Sequence, residues 1–340
     1  MLNVLIDIPS YAPGLTALQE QSDLSVTIVE KPEEKSRPLP TTQIQACDIL
    51  FSTFLPENHL EMTQLKLVQI SSVGYTQVVG KSLVERGIRV CNAQGVFDVP
   101  IAEWNIAMMI NLTRNLRGMI RNQEARIWDR SANFQKEIRG SVVGIWGYGG
   151  IGRETARLAK ALGMTVHVLV RQPIKPRNDS YAVPGTGDRD GVLPDRVFSL
   201  DEKETFLQGL DFLVMAIPQT TSTEGIIGES ELKQLPAHAF LLNPARGPLV
   251  QEASLIRALR EGWIAGAALD THYYYPMPPE HSLWQLPNVV MTPHISGSSG
   301  SPRFLERGYA LFLENLQRYM AGQPLLNELT PTQLSGEVNG

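Results

Sequence analysis

SVVGIWGYGGIGRETARLAKALG, residues 141–163, decides how the rest of the chain is read. SVVGIW is a short apolar run with β-branched residues, the pattern of a buried strand. GYGGIG (147–152) breaks it, and IGRETARLAKALG follows with Ile151, Thr155, Leu158 and Leu162 at intervals of four, three and four, one face of a helix. A strand, a G-x-G-x-x-G turn and a helix in that order form a dinucleotide-binding unit. Gly147 allows the tight turn, Gly149 lets the backbone approach a pyrophosphate, and Gly152 lets helix and strand pack closely. Tyr148, Gly150 and Ile151 complete the loop, and the diphosphate is expected on the first N–H groups of the helix. The glycine spacing alone is weak evidence, because glycine turns are common. The strand before it, the helix after it and the further strands beyond make it strong.

Those strands are legible on both sides. Downstream, TVHVLV (165–170), DFLVMAI (211–217), AFLLN (239–243), IAGAALD (264–270) and NVVMT (288–292) alternate with helix-compatible segments. Upstream, NVLIDI, SVTIVE, CDILFST, LKLVQIS and IRVCN do the same. Apolar runs interleaved with helices indicate α/β architecture, with parallel sheets covered on both faces. Between the two blocks, residues 100–120 carry a long helical pattern, with Pro100 where a helix would start. Residues 177–195, rich in Gly, Pro and Asp, read as an exposed inserted loop. PRFLERGYALFLENLQRYMAG reads as an amphipathic helix with Gly322 as its C′ residue.

The strand TVHVLV also bears on the cofactor. An NAD site usually places Asp or Glu at the end of this strand for the ribose 2′-hydroxyl. Here Val170 holds that position, and Arg171, Gln172, Lys175 and Arg177 follow. A carboxylate repels a 2′-phosphate, whereas an arginine binds one with two parallel hydrogen bonds. NADP(H) is therefore expected ahead of NAD(H), which stays open as a second cofactor. Pro218, just past DFLVMAI, is assigned to the cofactor side as well.

With 340 residues, 43% of them hydrophobic, the chain is long enough for two domains with large cores. A net charge of -5 argues against nucleic acid as a partner. The apolar runs are too short to span a bilayer. The N-terminal run is broken by Asp7 and Pro9 and lacks a basic flank, so it reads as a first strand, not a signal peptide. A cytoplasmic protein is expected. Cys47 and Cys91 end apolar runs and read as small buried hydrophobes.

Three later segments carry chemistry. NPARGPLV (243–250) puts Arg246 just past a strand, LDTHYYYP puts Asp270 at the end of the next, and MTPHISGSSG puts His294 at the end of another. Strand C-termini line the ligand crevice of a doubly wound sheet, so Arg, Asp and His are expected to converge on the nicotinamide end. With ISSVGYTQVV, GIWGYGGIGRETA, AALD and LPNVVMTPHISG in matching order, nearly the whole chain resembles the D-isomer-specific 2-hydroxyacid dehydrogenases.

The resemblance implies a Rossmann cofactor domain (101–292) inserted in a discontinuous flavodoxin-like substrate domain (1–100 and 293–340), with a helix near 101–120 as the linker. It implies a homodimer formed through the cofactor domain and a small 2-oxo or 2-hydroxy acid as substrate. His294 would be the general acid and base, and Arg246 would hold the substrate carboxylate and polarise its carbonyl. Backbone N–H groups of Ser72, Val73 and Gly74 would grip the carboxylate, and Asp270 would lie near the nicotinamide carboxamide. TFLPEN (53–58), SVGYT (72–76) and Trp104 are candidate substrate walls. The family usually has Glu behind the histidine, before a Pro; here that position is Tyr275. A phenol cannot raise an imidazole pKa as a carboxylate does, though it can hold the ring by a hydrogen bond. The histidine is then expected to titrate nearer free imidazole. Glu280 lies in PPEHSLW, which matches a peripheral turn. Two other readings follow from the missing Glu: formate-like oxidation, and a non-catalytic dinucleotide sensor.

Overall fold

Parallel pairing dominates because most strands are apolar on both faces. The computed structural model describes residues 1–131 and 135–335. It divides into two units. The first comprises Met1–Phe97, Asn178–Val183 and Ser299–Gly340, and the second Asp98–Arg177 and Pro184–Ser298.

The first unit is built on β1 (Leu2–Asp7), β2 (Leu24–Ile28), β3 (Ile49–Ser52), β4 (Leu67–Ile70) and β5 (Arg89–Cys91), ordered β2-β1-β3-β4-β5 and all parallel. Helices α1 (Ala12–Gln19), α2 (Thr41–Ile44), α9 (Pro302–Met320) and α10 (Pro331–Ser335) belong to it. Alternate residues feed the two faces. Leu5, Leu50 and Val68 pack on one side; Val4, Ile6 and Phe51 pack on the other with Tyr309 and Phe312 of α9. Gly322 follows the end of α9 with φ +64, the left-handed C′ conformation expected of it.

The second unit contains β6 (Val142–Trp146), β7 (Thr165–Leu169), β8 (Arg196–Phe198), β9 (Phe212–Met215), β10 (Phe240–Asn243), β11 (Gly266–Leu269) and β12 (Val289–Met291). Their order is β12-β11-β10-β9-β6-β7-β8, again parallel. Helices α3 (Asp98–Thr113), α4 (Leu116–Glu124), α5 (Gly150–Ala161), α6 (Lys203–Gln208), α7 (Glu229–Gln234) and α8 (Glu252–Glu261) complete it. The strand order reverses between β6 and β9, which opens a crevice at their C-terminal ends.

The structure departs from the sequence reading in four places. The single helix expected over 100–120 is two, because Asn115 is left-handed (φ 47) and its side chain caps α4 at Gly118 N–H. The buried stripe of α5 is Gly152, Thr155, Ala156 and Ala159, and Leu162 is exposed. Small side chains there allow close packing on α3, where Asn105 donates to the Thr155 hydroxyl at 3.0 Å. The short strand β8 was not anticipated, since Arg196 and Val197 are exposed and carry no apolar alternation. The units also meet the chain at 97/98 and 298/299 instead of 100/101 and 292/293, and Asn178–Val183 of the inserted loop belongs to the first unit. That segment is held by Asn327, whose N–H donates to Asp179 O at 3.0 Å and whose side chain accepts from Tyr181 N–H at 3.2 Å.

Candidate active site

The glycine turn has the shape a diphosphate requires. Gly147 has φ +99, and a Cβ there would lie 2.5 Å from Ala216 O. A Cβ on Gly152 would lie 2.5 Å from Gly147 O, so only glycine lets α5 close onto the turn. Gly149 caps α5 and has open space beside it, the side from which a phosphate can approach. At Gly150 the crowding group is the Asp98 carboxylate of α3, which lies where a side chain would be. Pro218 is exposed after β9, and its carbonyl accepts from the Thr223 hydroxyl at 2.8 Å.

Tyr148 and the inserted loop form one structure. The Tyr148 ring is buried, and its hydroxyl donates to Asp188 at 2.6 Å. Burial and that carboxylate push the phenol pKa up. Asp188 also accepts from the N–H groups of Gly191, Val192 and Leu193. Against the cost of burial, these bonds hold its pKa below the usual carboxylate range. Buried Arg153, one residue past Gly152, donates to the carbonyls of Tyr148, Lys175, Asp188 and Arg189. Glu154 accepts from Gly187 N–H at 2.5 Å and forks with Arg157. Residues 184–195 are therefore anchored to the start of α5, not a bare exposed loop. Arg171 and Gln172, just past β7, are exposed, and Arg171 has no internal partner among the described residues.

Arg246, Asp270 and His294 follow β10, β11 and β12, three adjacent strands, at one edge of the sheet. Asn243, buried at the end of β10, shapes the first loop. It accepts from Ala245 and Arg246 N–H and donates to Arg246 O at 2.7 Å. The exposed Arg246 guanidinium spends one bond on Ala245 O, leaving donors facing outward.

Asp270 is fully buried and accepts four hydrogen bonds. They come from the Thr292 hydroxyl (2.5 Å), Ile295 N–H (2.9 Å), Ser296 N–H (3.0 Å) and the Ser296 hydroxyl (2.5 Å). Inside this clamp His294 adopts φ +58, and its N–H donates to Asp270 O at 2.7 Å. A left-handed histidine costs about 1–2 kcal/mol and persists only where its surroundings hold it. Asp270, read from sequence as lying near the nicotinamide carboxamide, spends its carboxylate on the histidine turn. Trp104, a candidate wall, is buried beneath that turn and donates to the Thr292 hydroxyl at 3.1 Å.

The three tyrosines have separate places. Tyr273 is packed inward and donates to Val250 O, and Tyr274 donates to Glu252. Tyr275 alone lies beside His294, ring centroids 5.6 Å apart and 57° between planes. Its hydroxyl accepts from His272 N–H at 3.2 Å, and among the described residues it makes no hydrogen bond to the imidazole that it could have held. In the first unit, the carbonyls of Ser72, Val73 and Gly74 accept from Ala93 N–H, the Asn92 amide and the Ser72 hydroxyl. Their N–H groups have no internal partner among the described residues.

Residues 106–296 match the D-isomer specific 2-hydroxyacid dehydrogenase, NAD binding domain profile. A glyoxylate reductase of Thermofilum pendens is 30% identical over 334 residues, 96% of this chain and 92% of that one. The chain belongs to the D-isomer specific 2-hydroxyacid dehydrogenase family. Solved structures share the fold, among them these two. An NADPH-dependent glyoxylate/hydroxypyruvate reductase from Sinorhizobium meliloti in complex with citrate has a TM-score of 0.73 at 24% identity, covering 97% of this chain and 98% of that one. A D-lactate dehydrogenase with NAD+ from Lactobacillus jensenii has a TM-score of 0.77 at 20% identity, covering 97% and 100%. This 2-hydroxyacid dehydrogenase is accordingly an oxidoreductase with a Rossmann-type nicotinamide-cofactor domain.

Within this member of the family, burial and the Arg246 charge lower the His294 pKa, His272 adds to them, and Asp270 works against them. Its folded pKa lies below its unfolded value. The neutral ring therefore contributes to stability above the ordinary imidazole pKa, and that contribution is lost as pH falls through the lowered value. His272, Asn243, Thr292 and Ser296 were not found from sequence, because their partners are set by long-range contacts. Asp270→Asn replaces one clamp oxygen by an amide that cannot accept from Ser296. Its expected cost is about 2–4 kcal/mol of stability, measured by urea unfolding against wild type.

Proposed function

We propose that this enzyme reduces the carbonyl of a 2-oxo acid and, in reverse, oxidises the D-2-hydroxy acid. The observation that carries this reading is His294, held in a strained turn at the strand edge that also presents Arg246. Arg246 takes the substrate carboxylate with its outward donors and polarises the neighbouring carbonyl. The N–H groups of Ser72, Val73 and Gly74, without an internal partner among the described residues, are suited to a carboxylate oxygen. The nicotinamide, when bound, supplies hydride to C2. His294 gives its proton to the carbonyl oxygen as the charge develops there, and takes it back in oxidation. Tyr275 holds the ring by contact. With no carboxylate hydrogen-bonded to the imidazole among the described residues, the base form is favoured.

The reading of the cofactor is NADP(H) before NAD(H). Val170 removes the carboxylate that would repel a 2′-phosphate, and exposed Arg171 follows it, with Lys175 and Arg177 beyond. The glycine turn fits either dinucleotide, so Arg171 carries the preference. We also propose a homodimer through the cofactor domain. Ile110, Leu116, Met119, Ile120 and Trp284 are exposed apolar side chains on or beside α3, α4 and the edge strand β12, and Trp128 is 90% exposed. Ile120 and Trp284 line a groove with Val289 and Met291 there.

Reduction needs the protonated histidine, so kcat/KM for a 2-oxo acid should fall on the alkaline side from below the ordinary imidazole pKa. Tyr275→Glu should move that limb to higher pH; an unmoved limb removes Tyr275 from the site. A panel of glyoxylate, hydroxypyruvate, oxaloacetate and formate, assayed with each nicotinamide, tests the reaction itself, and turnover of formate alone overturns it. Arg171→Gln should cut the NADPH-over-NADH ratio of kcat/KM by about 10- to 100-fold, the worth of a charge-assisted pair. Equal use of both cofactors by wild type would sink the assignment. Ile120→Glu should shift the protein to monomer in sedimentation, and a wild type that sediments as monomer refutes the dimer.

A further inference from the structure

His272 is a polar residue that the reaction as described does not use. It is buried, and its Nε2 lies 2.7 Å from Thr292 O. A carbonyl oxygen can only accept, so Nε2 carries the hydrogen, and in the neutral ring Nδ1 presents a lone pair. That Nδ1 is buried with no hydrogen-bond partner among the described residues. An imidazole left half-satisfied in the interior is a less stable filling for this space than an apolar ring. Its presence calls for a role that Nε2–H performs and packing does not.

The contacts of His272 supply one. Thr292 O, which accepts from His272, also accepts from His294 N–H at 3.0 Å. The His272 backbone N–H donates to the Tyr275 hydroxyl, and Tyr275 is the ring that rests against the His294 imidazole. The His272 side chain thus holds the carbonyl on the N-terminal side of the His294 turn, a support that Asp270 does not reach, while the His272 backbone N–H, which any residue there would offer, holds the phenol. The backbone of His272 is itself fixed against Gly247, where a Cβ would lie 2.5 Å from His272 C and O. The charged and titratable groups around His294 are Arg246 from the β10 loop, Asp270 and His272 after β11, and Tyr275 beyond them.

We propose that the His272 side chain is a positioning residue for His294, setting the imidazole through the Thr292 carbonyl in place of a carboxylate behind the ring. The proposal rests on the reading of His294 as the proton donor. A purely structural hydrogen bond would lower stability and activity together. A positioning role separates them.

The test uses the full-length enzyme with NADPH and whichever of glyoxylate, hydroxypyruvate or oxaloacetate it turns over fastest. His272→Phe fills the space with an apolar ring and deletes the Nε2 donor. Expected are an unchanged or raised Tm, NADPH affinity unchanged, KM changed less than threefold and kcat reduced at least tenfold. His272→Gln places an amide N–H near the position of Nε2 and should return kcat to within about threefold of wild type, because it restores the bond. Wild-type kcat in His272→Phe overturns the proposal, as does a Tm that drops in step with kcat or a His272→Gln variant as slow as His272→Phe. His294→Ala, run in parallel, tests the underlying reading on its own. If it retains wild-type turnover, the assignment of the proton donor is wrong whatever the His272 variants do.

Discussion

The Asp270 carboxylate is the interaction on which the candidate site depends. It is fully buried, a placement that is costly unless every lone pair is used. Here two backbone N–H groups and two hydroxyls use them, all from Thr292, Ile295 and Ser296. The same bonds force the chain after β12 into a turn in which His294 is left-handed and its ring faces outward. The strand edge repeats the device. Asn243 ends β10 and shapes the Arg246 loop, Asp270 follows β11, and Thr292 follows β12. A parallel sheet brings the three loops side by side, and one short polar side chain at or just past each strand end builds each loop.

The electrostatics follow from that arrangement. Arg246 and burial both oppose a charge on His294, and no carboxylate is hydrogen-bonded to its ring among the described residues. The carboxylate that does favour the charged ring, Asp270, is already committed to the turn. The triple tyrosine fills the neighbourhood by aromatic packing. One hydroxyl is used by the core, one by Glu252 and one by the His272 backbone. Tyr275 therefore supports His294 through its ring, while its oxygen ties the segment down.

Most of the fold was legible from sequence because a parallel strand buried on both faces leaves an apolar, β-branched run. Eleven of the twelve strands among the described residues correspond to such runs. β8 lacked the signal because it ends the sheet, with two of its three residues exposed. The buried face of α5 is not the one its large apolar residues mark, because its tight contact with α3 selects small residues, and Ala or Gly adds little to a hydrophobic periodicity. The places of Arg246 and His294 just past strand ends, and the glycine turn after β6, were legible because each is written in adjacent residues. The inserted loop reads as exposed from its Gly, Pro and Asp content. Its anchoring by Asp188, Arg153 and Glu154 comes from contacts more than twenty residues apart in the chain.

The sequence by itself determined the α/β class, the dinucleotide turn, the missing acid after β7, and the Arg, Asp and His at successive strand ends. Each of these is written in adjacent residues, where spacing and residue type limit the backbone to a few conformations. Tertiary structure alone decided what those residues touch: that Asp270 turns to the histidine loop, that Tyr148 is locked to Asp188, and that His272 reaches the Thr292 carbonyl. A side-chain donor is satisfied by whichever acceptor the fold brings within about 3 Å. That choice is made when separate strands pair, and no local pattern in the chain records it.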